Sequence, residues 1–269
     1  MLESTARCSL LSAALFAAVC GTTLFTSASL LAAEAPAAKT AVAVTKGTAL
    51  VTGANRGLGL ELAKQLREAG YAVIGTARSP AEASDLLATG ARVVPLDVTD
   101  AKSVAALAKG LEGQAIDILI NNAGVMSGID TVGTLSFAEV EKVLATNTVG
   151  PMRVTQALLP NLRSGKRKLI VSISSRLGSI AGNSNAKFYG YRESKAALNM
   201  FMRSIAMELK PEGFICVAMS PGWVRTDMGG SQAPLSPEES VKGMLSVIES
   251  LKAEDTGTYR SYDGATLPW

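Results

Sequence analysis

Histidine is absent from all 269 residues. That removes Ser-His-Asp and Cys-His catalysis, together with every metal site that needs an imidazole. Cysteine is scarce: three residues and no Cys-x-x-Cys pair, which leaves neither a zinc knuckle nor a thioredoxin-type redox site. Cys8 and Cys20 fall in an apolar N-terminal stretch, and Cys216 sits in the run Phe214–Met219, the setting of a buried strand cysteine. An excess of one charge is also missing. A net +3, from 26 Lys and Arg against 23 Asp and Glu, is no nucleic-acid footprint. The one dense basic run, Lys166-Arg167-Lys168, reads as a solvated loop. Any chemistry therefore falls to Tyr, Lys, Ser, Asp, Glu or a bound cofactor, with no metal expected.

What is present is an ordinary globular composition, 48% hydrophobic and 18% charged, in a chain long enough for one sizeable core. From Cys8 to Ala33 no side chain is charged, Arg7 is the only basic residue before it, and small residues crowd Leu31–Ala38. This pattern reads as an export signal, and the stretch is also long enough to span a bilayer if left uncut. The Ala/Pro/Thr/Val-rich piece Glu34–Thr45 reads as a linker. The expected division is a signal-like or anchor segment over 1–33, a linker over 34–45 and one folded domain over 46–269. Location follows as exported or membrane-attached. The alternative is a cytoplasmic form whose true start lies near Val42 or Val44.

After Lys46, short β-rich runs alternate with longer stretches of helical spacing. The runs are Thr48–Thr52, Tyr71–Thr76, Arg92–Leu96, Ile116–Ile120, Lys168–Ser172 and Phe214–Met219. A helix is predicted over Leu58–Ala69, where Leu58, Leu62, Leu66 and Ala69 repeat on one face. Strands that are apolar throughout indicate burial on both sides. The alternation predicts an α/β fold, a single-domain doubly wound parallel sheet with helices on both faces. Ser236-Pro237-Glu238-Glu239 predicts a further helix start, with Ser as N-cap and the second Glu closing a capping box.

The first strand runs straight into Thr52-Gly53-Ala54-Asn55-Arg56-Gly57-Leu58-Gly59 and then a helix. Glycines there permit a tight turn and let backbone approach a pyrophosphate, whose charge would face the free N–H groups of the helix start. The spacing is Gly-x-x-x-Gly-x-Gly rather than the commoner Gly-x-Gly-x-x-Gly. Further along come Asp97-Val98, Asn121-Asn122-Ala123-Gly124, Asn147, Ile173-Ser174-Ser175, Tyr191-x-x-x-Lys195, and Pro221-Gly222 with Val224 and Thr226.

Over 46–269 this set, in this order, resembles the short-chain dehydrogenase/reductase family. Ser175–Ile180, Tyr191–Met200, Pro221–Met228 and the ending Tyr262-Asp263-Gly264 … Pro268-Trp269 are similar to its C-factor/Sniffer-like carbonyl reductase branch. The resemblance implies a Rossmann-type fold and hydride transfer between a nicotinamide and a small carbonyl or alcohol. It casts Tyr191 as general acid/base. Lys195, one turn on, would lower the phenol pKa by its charge and hold the nicotinamide ribose. Ser175 would bind the substrate oxygen, its neighbour Ser174 remaining an alternative, and Asn147 would hold a water leading from Lys195 to solvent. Asp97 would accept from the adenine amino group and Val98 pack its ring. Asn122 and Ala123, with Gly124 beside them, would line the ribose, and Val224 would receive the carboxamide.

The second strand ends Gly75-Thr76-Ala77-Arg78 without a carboxylate to bind ribose hydroxyls. Arg78, helped by Arg56, offers a cationic fork for a 2′-phosphate, so NADP(H) is expected over NAD(H). Met228–Leu235 would form a short lid, suited to a small or partly exposed substrate. Gly182–Asn185 would form a loop at the cleft mouth, and Tyr189 is read as a loop or substrate-pocket side chain. The family likeness also implies a homo-oligomer. An NAD(P)-binding signalling or sensor protein on the same scaffold is the rival reading. A hydrolase lacks both the histidine and a Gly-x-Ser-x-Gly turn.

Overall fold

The computed structural model describes residues 46–126, 128 and 131–269, so the signal-or-anchor and linker readings lie outside the described residues. The apolar runs become strands: β1 (Thr48–Val51), β2 (Ala72–Ala77), β3 (Arg92–Pro95), β4 (Ile118–Asn121), β5 (Leu169–Ile173) and β6 (Ile215–Ser220). A further strand, β7 (Thr258–Ser261), was not predicted. All join one parallel sheet in the order β3-β2-β1-β4-β5-β6-β7. Between them run α1 (Gly57–Glu68), α2 (Ser84–Ala88), α3 (Ala101–Gly110), α4 (Phe137–Leu144), α5 (Gly150–Ser164), α6 (Tyr191–Leu209) and α7 (Pro237–Ser250).

Period-two alternation sorts the strand residues onto two faces. Ala49 and Val51 of β1 and Ile118 and Ile120 of β4 face Leu62, Leu66, Val241 and Met244 of α1 and α7. Leu50 and Leu119 face the other way, toward Val104, Leu158, Leu162, Met202 and Leu209 of α3, α5 and α6. Burial on both faces holds for the inner strands. It fails for β3, which is exposed at both ends because it is the sheet's edge. Cys216 is fully buried in β6, where burial pushes its thiol up to about 12.

The basic run is not simply solvated. Arg167 Nη1 donates to the Tyr71 hydroxyl at 2.5 Å and Glu249 Oε2 at 3.1 Å, and Nη2 donates to the Ile248 carbonyl. Its guanidinium ties the start of β5 to the end of α7, which is why it folds inward rather than into water. Among the described residues no helix is long and apolar enough to cross a membrane.

The chain begins in the middle of the sheet and winds first one way, to β3, then the other, from β4 to β7. Doubly wound sheets leave a crevice at such a reversal, outside the carboxyl ends of the strands. The segments carrying the candidate residues follow β1, β2, β3, β4, β5 and β6 in turn, at this one edge.

Candidate active site

The glycine turn is held against the end of β4 by a main-chain bond, Thr52 N donating to the Ile120 carbonyl at 3.0 Å, and by side chains. Asn122 Nδ2 donates to the carbonyls of Thr52 and Gly53 at 2.9 and 3.0 Å. Thr52 Oγ1 accepts from the backbone N–H of Asn122 and of Ala123, each at 3.0 Å. Gly53 and Gly57 have φ of 63° and 54°, which L side chains resist. A Cβ on Gly59 would sit 2.2 Å from the Gly53 carbonyl oxygen, so only glycine lets α1 start this close to the turn. The first turn of α1 has no side-chain cap and no acidic residue, leaving N–H donors that suit an anion. Asn55, Arg56 and Gly57 are exposed on the turn.

Ser174 and Ser175 both border the cleft, but their hydroxyls have different partners. Ser174 turns inward, its hydroxyl donating to Asn199 Oδ1 at 2.6 Å. Ser175 faces the cleft beside Tyr191, and its Oγ accepts from Leu177 N at 3.2 Å. Tyr191 opens α6 after Gly190, whose φ of 78° lets the chain turn sharply into the helix. Tyr191 and Lys195 lie on one face of that helix, 6% and 4% exposed, with Lys195 Nζ 5.7 Å from the Tyr191 ring centre. Lys195 Nζ donates to the Ile173 carbonyl at 2.8 Å.

The expected lowering of the phenol by Lys195 is not what this geometry gives. Burial pushes Tyr191 up to about 12, and the Ser175 hydrogen bond draws it part of the way back. Burial likewise pushes Lys195 down to about 8. Desolvation of both groups dominates, because the dry pocket penalises tyrosinate and ammonium alike.

Asn147 is fully buried in a π-helical turn, Ala145–Val149, that joins α4 to α5. Such turns re-aim a side chain by one extra residue. Its Oδ1 accepts from Val125 N and its Nδ2 donates to the Val125 carbonyl, both at 2.8 Å, and to Ser194 Oγ at 3.0 Å. The side-chain amide is thus engaged by protein through both its oxygen and its nitrogen. Gly124 lies between: a Cβ there would be 3.3 Å from Asn147 Oδ1 and 3.7 Å from Lys195 Nζ.

Ser175 and Tyr191 border a cleft of about 480 Å³, whose lining does not include Asn147 or Lys195. Leu58, Ser175, Tyr191, Pro221, Gly222, Val224 and Thr226 line it, together with Met126, Phe188, Trp223 and Met228. Phe188, rather than Tyr189, supplies the aromatic wall before α6, from a left-handed backbone with φ of 60°. Residues 182–187 are exposed, and the guanidinium of Arg192 gathers the side chains of Asn183 and Asn185. The stretch Met228–Leu235 is pinned to the floor of the cleft, Trp223 Nε1 donating to the Gly229 carbonyl at 2.8 Å and Arg225 N to the Leu235 carbonyl at 2.8 Å.

Arg78 and Asp97 stand off from this cleft at the ends of β2 and β3. Thr99 donates twice to Asp97 Oδ1, at 2.8 and 2.6 Å, and these bonds, with a smaller contribution from the Arg78 charge, hold that carboxyl below its usual range. Val98 packs on Gly150 at the head of α5. Arg56 does not turn toward Arg78. It pairs with Asp227 at 2.8 Å, drawn by the carboxylate across the turn. Among the described residues no cluster of ligating side chains could hold a metal.

Sequence reasoning passed over Ser194, Asn199 and Gly178. Ser194 Oγ accepts from Asn147 and donates to the Tyr191 carbonyl at 2.7 Å. Asn199 Nδ2 donates to the Gly178 carbonyl at 3.1 Å, and a Cβ on Gly178 would press to 2.7 Å from the Lys195 Cβ. Helical spacing was the available signal for Asn199, one turn beyond Lys195 and two beyond Tyr191.

Residues 47–235 match the family model for short chain dehydrogenases. The chain is 46% identical over 154 residues to C-signal of Myxococcus xanthus, covering 57% of this chain and 93% of that one. Among solved structures, it is similar to the carbonyl reductase Sniffer of D. melanogaster, at 34% identity and a TM-score of 0.80, over 82% of this chain and 99% of that one. It is also similar to the NADPH-bound carbonyl reductase from chicken fatty liver, at 36% identity and a TM-score of 0.77, over 82% and 98% of the two chains.

Proposed function

The chain belongs to the short-chain dehydrogenase family, and on that premise we propose that it is an NADP(H)-dependent oxidoreductase acting on a small carbonyl or alcohol. The observation that carries this reading is the grouping of Ser175 and Tyr191 at one cleft, with Lys195 Nζ 5.7 Å from the Tyr191 ring centre, next to a glycine turn and an uncapped helix start. That turn suits a pyrophosphate, and Thr226, Val224 and Pro221 border the cleft where a nicotinamide would lie. Arg78 is the cation available to a 2′-phosphate, with no carboxylate beside it on β2. The NADPH held by the chicken carbonyl reductase fits the same preference.

When bound, the nicotinamide supplies the hydride for reduction or takes it in oxidation. The protein's own part is proton transfer and orientation. Ser175 and Tyr191 hold the substrate oxygen by their hydroxyls, and the Tyr191 phenol releases its proton to that oxygen as the carbonyl becomes an alcohol. A phenol held near 12 keeps its proton at neutral pH, which suits a donor. Lys195, beside the ring, offsets charge that develops on the phenolic oxygen as the proton leaves. Phe188, Trp223, Met126 and Met228 make the walls apolar and exclude water from the reacting oxygen.

The test is an initial-rate assay of the full chain with NADPH and with NADH across small aldehydes, ketones and diketones. NADPH-preferring turnover of at least one class is expected. The C-signal likeness favours a second reading, a nicotinamide-binding signalling protein, and tight NADPH binding with no turnover across the panel would shift the reading toward it.

A further inference from the structure

The strand that sequence patterning missed carries Tyr259, fully buried in β7. Its phenol donates to the main-chain carbonyl of Ser175. A ring packed between sheet and helix would be served as well by phenylalanine, so a buried hydroxyl is explained by what it bonds. The other face of the ring stacks on Trp269, with centres 5.4 Å apart and planes inclined by 24°. Trp269 then reaches further along the same segment: its carbonyl accepts from Ala181 N at 2.9 Å and from the Ser179 hydroxyl at 3.3 Å. The backbone holds this pair together, Leu267 N donating to the Tyr259 carbonyl at 2.8 Å.

The segment that leaves β5 with Ser175 and runs toward Tyr191 is therefore held at two points by the last strand and the residues that follow it. We propose that Tyr259, with Trp269 stacked against it, is a positioning residue that sets the Ser175 hydroxyl opposite the Tyr191 phenol. The inference rests on the roles given above to Ser175 and Tyr191. Ser175 lies beyond the sheet pairing of β5, and its carbonyl accepts from the Gly178 N–H at 2.7 Å as well as from the Tyr259 hydroxyl. The Tyr259 hydroxyl adds a second restraint on that carbonyl from β7, and the Ser174–Asn199 bond holds the hydroxyl of the adjacent serine. A hydroxyl that drifts by an ångström loses its aim at the substrate oxygen, and that aim matters chiefly in the transition state.

A double-mutant cycle reads this directly. Tyr259→Phe keeps the stacked ring and removes only the donor. Its kcat for carbonyl reduction should fall by up to about tenfold, the worth of one hydrogen bond, with KM and the NADPH dissociation constant little changed. Ser175→Ala should fall further, and the double variant should be no slower than Ser175→Ala alone, because Tyr259 acts through Ser175. A double variant slowed by the product of the single effects, or a Tyr259→Phe enzyme of undiminished kcat, would overturn the inference. A Ser175→Ala enzyme of full rate would overturn the catalytic reading beneath it as well. Should Tyr259→Phe fail to fold, Trp269→Ala on the same two backgrounds applies the same criterion.

Discussion

At the scale of single residues, burial sets the chemistry more than charge pairing does. Tyr191 is held near 12 and Lys195 near 8, both by desolvation. The sign of the pH dependence follows. Below about 8 Lys195 carries its charge and Tyr191 its proton, the combination that donates to a substrate oxygen; above it the ammonium is lost while the phenol remains protonated. The pH profile of kcat/KM for carbonyl reduction, which reports free-enzyme groups, should be level on the acid side of about 8 and fall on the alkaline side. A profile still level a full unit above that point would contradict it. Arg78 is the residue proposed to carry the cofactor choice. Arg78→Glu puts a carboxylate where a 2′-phosphate is to lie, and NADPH affinity should fall about a hundredfold with little change for NADH. Titrating both cofactors against the variant checks this, and equal losses would show that another group discriminates. The roles proposed for Tyr191, Lys195 and Ser175 were legible because their spacing is local or bounded by motifs. The engagement of the Asn147 amide and the turning of Arg56 toward Asp227 were not, since both depend on partners distant in sequence.

At the scale of elements, pattern and capping carried most of the information. The six apolar runs became strands shifted by a residue or two, and the helix expected over Leu58–Ala69 runs over Gly57–Glu68. The start of α7 was readable outright: Ser236 Oγ accepts from Glu239 N at 3.1 Å, and Glu239 Oε2 accepts from Ser236 N at 2.8 Å. Ser236→Ala removes one side of that box and should cost about 1 kcal/mol, seen as a lower midpoint in urea at unchanged slope. An unchanged midpoint would mean that packing of α7 alone holds its first turn. Strand β7 escaped notice because Thr258-Tyr259-Arg260-Ser261 has little apolar run to see. Its place is set by pairing with β6 and by the buried ring of Tyr259 rather than by its own pattern. The π-helical turn around Asn147 was equally hidden, since nothing in its sequence separates it from the helices it joins.

At the scale of the whole molecule, the parallel sheet brings segments that are far apart in sequence to one edge. Leu58 after the glycine turn, Met126 after β4, Ser175 after β5 and Pro221, Gly222, Val224 and Thr226 after β6 meet around a single cleft, while Tyr191 enters from the head of α6. Fold class could be read from alternation alone, since buried parallel strands require crossovers. The closeness of the site could not, because it depends on strand order and on glycines whose role appears only in contact, such as Gly59 against Gly53 and Gly178 against Lys195. The claim for the molecule is that this edge transfers a hydride to a carbonyl with Tyr191 giving the proton. The decisive measurement is steady-state NADPH oxidation by Tyr191→Phe on the best carbonyl substrate of the native chain, beside NADPH affinity by fluorescence titration. The account predicts that kcat falls by about 10²- to 10⁴-fold while NADPH affinity holds. A variant that reduces the carbonyl at the native rate would contradict it.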